Sequence, residues 1–321
     1  QQSTCYENRI RKLEQMGRDP RLIKDGIADV LRVVEGGARS FVIYGEPQSG
    51  KTEFMIALVC KLLDQGRKTI FLIMNDNTEL ETQNFERFHQ AQEMNPTPLR
   101  DWQVVDMSDD NLKVSRQRVI FCRKNARNLE KLIHVTRFME DRIVIDDEAD
   151  YATPNAKINK DDTTAINNGV ERLGDLGAGG TGTYIGVTAT PARLDLNNTF
   201  LNESRNWIFL NSHDAYKGRQ FFFPATATEG SRSDYKLVKL PDDTDSPKLL
   251  RHAAFRFLLR VAILNSPAGS DVTAYSMLIH TAGKTNDHEK DNEDIQKILE
   301  VLSDQASSRF QQYVRELQEI A

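Results

Sequence analysis

A chain of 321 residues, 39% hydrophobic and 28% charged, has enough apolar side chain to bury a core in one large or two smaller globular domains, which excludes disorder as its default state. Its 42 Lys and Arg stand against 47 Asp and Glu, a net charge of −5, so no global positive field draws in nucleic acid and any such contact must come from a local basic strip. Cys5, Cys60 and Cys122 are odd in number and form no C-x-x-C pair, which argues against a disulfide framework or a thiolate zinc site and fits a reducing, cytoplasmic compartment. No apolar stretch has the length of a bilayer span, and no signal-peptide h-region is expected at the N-terminus.

In chain order, residues 7–35 read as helical, broken between Gly17 and Pro20 and ended by Gly36-Gly37. Short runs rich in Val, Ile and Phe then predict strands at 41–44, 69–74, 103–106, 118–122, 142–146 and 183–188, with helices at 51–64, 78–92 and 125–139 between them. That alternation predicts an α/β fold with a parallel sheet flanked by helices on both faces. The polar stretch 151–182, with the short helical segment "AINNGVERL", reads as a surface excursion between two core strands. After Trp207-Ile208-Phe209-Leu210 the pattern loosens, and a seam is expected within 211–246. Ser246-Pro247 marks a helix start, "KLLRHAAFRFLLRVAIL" (248–264) an amphipathic helix, "YSMLIHT" (275–281) a buried strand, and 289–320 one or two charged helices. The expected organisation is therefore an N-terminal helical segment (1–39), an α/β domain (40–210), a linker or insertion (211–246), and a helical region (247–321).

The chemistry concentrates in two places. Gly45, Gly50, Lys51 and Thr52 fill the pattern G-x-x-x-x-G-K-S/T between a strand and a helix, as a phosphate-holding P-loop requires. Its glycines let successive N–H groups turn toward phosphates, and the helix N-terminus adds partial positive charge. The expected nucleotide contacts are Gly45, Glu46, Pro47, Gln48, Ser49, Gly50, Lys51, Thr52 and Glu53, with Lys51 on the β- and γ-phosphates of ATP and the Thr52 hydroxyl on Mg²⁺. Further on, "RIVIDDEAD" (142–150) ends an apolar strand in Asp146, Asp147, Glu148 and Asp150, carboxylates that repel one another unless cations offset them. Asp147 is the expected Mg²⁺ partner and Glu148 the group that orients the attacking water, so that Lys51, Asp147 and Glu148 form the catalytic set.

"DEAD" at 147–150 followed by "TATPAR" at 188–193 resembles motifs II and III of superfamily-two helicases and translocases. More narrowly, "IDDEADYATPNAKIN", "AINNGVERL", "YIGVTATPARL" and "SMLIHT", with "NTELETQNFERF" (77–88) and "CRKNARNLEKLI" (122–133), resemble the Z-one-type ATPases of ATP-dependent bacterial restriction systems. The resemblance implies that 40–210 is a RecA-like P-loop ATPase domain and that 247–321 begins a second lobe, with ATP hydrolysis coupled to DNA translocation or remodelling in a restriction or phage-defence complex, and DNA and a nuclease or other defence subunit as partners. It also implies that Thr188 and Thr190 bond to Asp150 and link hydrolysis to the nucleic-acid channel. Gln83 and Arg87, at i and i+4, fall where such motors touch the phosphate backbone, and read equally as contacts or as solvated surface. Arg116, Arg118, Arg123, Lys124, Arg127 and Lys131 stand against Glu130 alone, a strip that reads as a nucleic-acid path or as a solvated face, with Arg123, Lys124 and Arg127 as contacts. No arginine-bearing last motif is recognised in 282–321, so the second lobe is expected to be cut short, or its arginine to come from a partner. His280 reads as a strand-end residue rather than a metal ligand. Two other readings stay open: an ATP-gated switch that binds DNA or a nuclease without translocating, and an RNA-directed DEAD-box ATPase.

Overall fold

The computed structural model of the chain describes residues 4–47, 49–150, 164–190, 207–213, 216–218, 247–266, 273–279 and 285–320. Two compact units, residues 1–226 and 227–321, are taken separately.

The first unit opens with α1 (Cys5–Gln15) and α2 (Arg21–Glu35), followed by β1 (Ser40–Gly45), α3 (Lys51–Asp64), β2 (Thr69–Met74) and α4 (Thr78–His89). It continues with β3 (Leu99–Arg100), α5 (Asp101–Val105), α6 (Asp109–Lys113), β4 (Arg118–Arg123), α7 (Ala126–Thr136), β5 (Arg142–Asp147), α8 (Ala165–Gly174), β6 (Thr183–Thr188) and β7 (Ile208–Leu210). Among the described residues the seven strands are all parallel, in the order β3-β4-β2-β5-β6-β1-β7. The α/β fold expected from the alternating pattern is the fold observed.

Because side chains alternate across a strand, one strand feeds two cores. Ile70, Leu72 and Met74 of β2 join α2, α3 and α4 on one face, whereas Phe71 and Ile73 join α5, α7 and α8 on the other. A strand buried on both faces cannot alternate apolar with polar residues, which is why "TIFLIM" reads as an unbroken apolar run.

The helices carry their own start signals. Asn77 caps α4 by accepting from the N–H groups of Glu79 (3.0 Å) and Leu80 (3.2 Å), Asn125 caps α7 through Arg127 N–H (3.0 Å), and Thr164 caps α8 through Asn167 N–H (3.2 Å). Thr4 and Glu7 form a capping box at α1, and the carboxylate of Asp64, at the far end of α3, accepts the N–H groups of Cys5 (3.0 Å) and Tyr6 (2.8 Å). At the other end of this helix pair, the buried Arg9 binds Glu53 of α3 and Glu93 (2.6 Å). The N-terminal helical segment is thereby bolted to the P-loop helix.

Two expected strands are not strands. Residues 103–105 belong to α5 and Asp106 follows its last turn: Asp101 and Gln103 turn their side chains onto the backbone N–H groups of Trp102 (2.8 Å) and Arg100 (2.8 Å), and only Val104 reaches the core. Of the expected buried strand 275–281, the described residues 273–279 pair with no strand, and Leu278 is 91% exposed. His280 and Thr281 lie outside the described residues, as does most of the expected linker 211–246.

The second unit holds α9 (Pro247–Asn265), α10 (Thr285–Ser303) and α11 (Phe310–Ile320). Phe255, Ile298 and Tyr313 form its buried centre, the two rings edge to face at 5.4 Å. A two-pronged Arg251–Glu316 pair (2.7 and 3.1 Å) fastens α9 to α11 and holds the Glu316 carboxyl below its usual range. Among the described residues, no helix is long and apolar enough to cross a membrane.

Candidate nucleotide site

Parallel strands deliver all their carboxyl ends to one edge of the sheet, where ligands of open α/β sheets bind. Here that edge collects the P-loop after β1, Asn75 after β2, Lys124 after β4, the acidic turn after β5, and Thr188 and Thr190 at the end of β6. Strand β6 lies between β1 and β5, so its tip sits between the phosphate loop and the acids.

The loop has the backbone its residue types demand. Gly50 adopts φ +94°, which a side chain disfavours, and a Cβ at Gly45 would stand 3.1 Å from Lys51 Cγ and 3.2 Å from Ser49 Oγ. Lys51 Nζ donates to the carbonyls of Gly45 (3.1 Å) and Glu46 (3.0 Å), so the ammonium is already folded over the loop. Burial lowers the Lys51 pKa, while Asp147, Glu148 and Asp150 pull it back up. The hydroxyl of Tyr216 donates to the Pro47 carbonyl, a contact that no motif announces. Gln48 lies outside the described residues. Glu53 departs from the expected set: its carboxylate is taken by Arg9, with Arg18 at 3.7 Å, leaving its backbone N–H as what it can offer a nucleotide. A cavity of about 210 Å³ flanks the loop, lined by Leu22, Ile23, Phe54, Leu210, Asn211 and His213 together with Ser49 and Gly50.

The acidic turn is built from both neighbouring strands. Asp146 is fully buried, its carboxylate 2.8 Å from Lys124 Nζ and accepting the Tyr184 hydroxyl at 2.8 Å. Lys124 also donates to the Glu148 carbonyl (2.6 Å) and is itself 2% exposed. This overturns Lys124 as a nucleic-acid contact: the sheet edge consumes its charge internally. Arg118, counted in the same basic strip, is 3% exposed and spends its guanidinium on the carbonyls of Val114, Arg116 and Asn111. Arg123, Arg127, Gln83 and Arg87 keep at least partial exposure, and Arg123 lies 3.7 Å from Asp76.

Glu148 has φ +51°, a conformation that costs a non-glycine residue about 1–2 kcal/mol. The surrounding bonds hold it there: its N–H donates to Asp147 (3.1 Å), its carbonyl accepts Lys124, and its carboxylate accepts Asn75 Nδ2. Ala149 N–H donates to Val187 O (3.0 Å), and its methyl fills the space that a side chain at Gly186 would need. Asp150 accepts from both motif hydroxyls, Thr188 at 2.6 Å and Thr190, while Thr190 N–H closes onto Thr188 Oγ1 at 3.0 Å.

Burial, then the charges of Glu148 and Asp146, push Asp147 up to about 6, against partial relief from Lys124 and Lys51. A bound cation would bring a carboxyl raised in this way back down. Among the described residues no cluster of three or more His, Cys, Asp or Glu is placed to hold a metal. The available donors are the Thr52 hydroxyl and Asp147, hard oxygens too few for a metal cage but suited to Mg²⁺ completed by phosphate oxygens and water.

The arrangement sets a P-loop opposite an acidic turn, a candidate nucleotide site. No protein-family model matches the chain, and no curated protein does. Among solved structures it is similar to the genome-packaging NTPase B204 of Sulfolobus turreted icosahedral virus 2, in complex with AMP, at 17% identity and TM-score 0.31 over 49% of this chain and 68% of that one. It is also similar to the helicase domain of Pyrococcus furiosus Hef, at 14% identity and TM-score 0.41, covering 93% of this chain and 58% of that one.

Proposed function

We propose that the chain is a Mg²⁺-dependent ATPase of the superfamily-two type, whose hydrolysis drives translocation on DNA or its remodelling within a restriction or phage-defence assembly. The observation that carries this reading is the double clamp of Thr188 and Thr190 on Asp150, two residues beyond Glu148, on the strand that separates the P-loop from the acids. A simple phosphate-binding loop needs no such tie between the hydrolysis turn and the next strand.

In this reading the loop backbone from Gly45 to Thr52 cradles the phosphates and Lys51 neutralises the β- and γ-oxygens. Its two carbonyl partners give way to phosphate oxygens, a charge-assisted exchange. Thr52 and Asp147 hold Mg²⁺, which when bound neutralises charge on the transferring phosphoryl group. Glu148 orients water, and the clamp on Asp150 carries its movement into β6. The cavity beside Gly50, with apolar Leu22, Ile23 and Phe54 and polar Asn211 and His213, suits a nucleoside base.

A second reading, an ATP-gated switch without translocation, shares the P-loop and the acidic turn but asks nothing of the clamp on Asp150. ATP turnover measured with and without duplex DNA separates them. A motor's rate rises severalfold with DNA, and a switch's stays flat; RNA in place of DNA tests the RNA-directed alternative. Within either, Lys51→Ala should abolish nucleotide binding or turnover, whereas Glu148→Gln should bind ATP and not hydrolyse it. Full activity in Glu148→Gln would overturn the assignment of the water-orienting group.

A further inference from the structure

Strand register brings two loops onto Glu148. In the β2–β5 pairing Ile73 faces Asp146, so two residues on Asn75 comes level with Glu148, and Asn75 Nδ2 donates to its carboxylate. In the β2–β4 pairing Met74 faces Arg123, so Lys124 follows level with Asn75, and its ammonium holds the Glu148 carbonyl at 2.6 Å. An amide oxygen cannot face a carboxylate, so Glu148 dictates which way the Asn75 amide turns. The cost is visible on its other side, where Asn75 Oδ1 is buried with no hydrogen-bond partner. An amide left half-satisfied inside a sheet edge is placed for the contact it makes.

The next residue ties this loop to the surface. Asp76 accepts Asn125 Nδ2 at 3.0 Å and lies 3.7 Å from Arg123, and Arg123 also donates to Thr78 Oγ1 at 3.3 Å. Asn125 in turn caps α7. The Arg123–Asp76 pair is open to solvent on both sides, the kind of surface ion pair that a competing anion readily exchanges.

Building on the reading of Glu148 as the water-orienting group, we propose that Asn75 is a positioning residue that holds Glu148 away from the attacking water. We further propose that a nucleic-acid phosphate, by drawing Arg123 from Asp76, shifts the Asn75–Asp76 loop and releases it. The phosphodiester offers Arg123 the bidentate partner that Asp76, at 3.7 Å, does not. Hydrolysis is then restrained until nucleic acid arrives, without any change at the P-loop itself.

The test is steady-state ATP turnover of the full chain, wild type, Asn75→Ala, Asn75→Ser and Asp76→Ala, with and without saturating duplex DNA, alongside Glu148→Gln. Asn75→Ala should raise the DNA-free kcat severalfold toward the stimulated rate, with KM for ATP unchanged and the stimulation ratio falling toward one. Asp76→Ala should move the same way by a smaller factor. Asn75→Ser, which keeps a shorter donor, should fall between Asn75→Ala and wild type, and covers the case in which the alanine variant does not fold. A DNA-free kcat that stays at or below wild type in folded Asn75 variants would overturn the proposal, as would an undiminished stimulation ratio. Glu148→Gln reports separately: if it hydrolyses ATP normally the parent reading of Glu148 fails, whereas its inactivity beside unchanged Asn75 variants refutes only the restraint.

Discussion

Removing the ammonium of Lys124 should cost the first unit a large share of its stability. Lys124 and Asp146 are both fully buried at the side chain, 2.8 Å apart, and Lys124→Ala would leave the Asp146 carboxylate in the sheet edge with the Tyr184 hydroxyl as its remaining partner. Breaking one side of such a pair costs about 3–5 kcal/mol, because the charge left behind stays desolvated. The surviving Tyr184 bond argues for the lower half of that range. For a unit of this size each kcal/mol moves the midpoint by roughly 2–4 °C, so thermal unfolding should fall by roughly 6–16 °C. The double substitution Lys124→Met with Asp146→Asn removes both charges and should recover much of the loss, a coupling that a double-mutant cycle in urea measures directly. A loss below about 1 kcal/mol in Lys124→Ala would show that the pair is solvated, and a double variant that loses the full sum would show that the two charges are not coupled.

Two further outcomes are expected. Asp147 is pushed up to about 6 from its ordinary 3.8, so between those values the folded, nucleotide-free protein keeps a proton that the unfolded chain has released. Stability from this group is therefore full at acid pH and is lost as pH rises through about 6. Asp147→Asn should flatten that decline and leave the nucleotide-free protein more stable at neutral pH, as read from melting curves across the window; an unchanged slope would refute it. Gly182→Ala should destabilise the unit by about 1–3 kcal/mol, since overpacking here cannot be relieved by a rotamer change. Its Cβ would lie 1.6 Å from the Gly174 carbonyl oxygen, backbone against side chain, where the turn after α8 closes through Asp175. A urea midpoint unaffected by the substitution would contradict that close approach.

The α/β fold was legible because buried parallel strands write themselves as unbroken apolar runs, and Thr69–Met74, Arg118–Arg123 and Thr183–Thr188 stand where those runs predict. "WQVVD" misled for the opposite reason: two adjacent valines look like a strand, but the side chains of Asp101 and Gln103 bond the local backbone and favour a single helical turn. "YSMLIHT" was apolar enough for a buried strand, yet a strand needs a neighbour to bond, and the described part has none. At the site, phosphate loops and acidic turns are short-range patterns and could be read off directly. Asn75, Tyr184 and Tyr216 could not, because each gains its role from residues far along the chain. Lys124 was visible but misassigned: one dimension shows a cation among cations, and only the fold shows its ammonium 2.8 Å from Asp146.

The twin fastening of α1 along α3 makes the N-terminal helix a handle on the nucleotide loop. Asp64 grips its first turn and Glu53, one residue past the Lys51–Thr52 pair, grips Arg9. A ligand that draws the start of α3 toward its phosphates must carry this splint along or break a buried ion pair. Whatever takes hold of α1 therefore takes hold of the phosphate loop, from a helix distant in sequence from the acids that would do the chemistry.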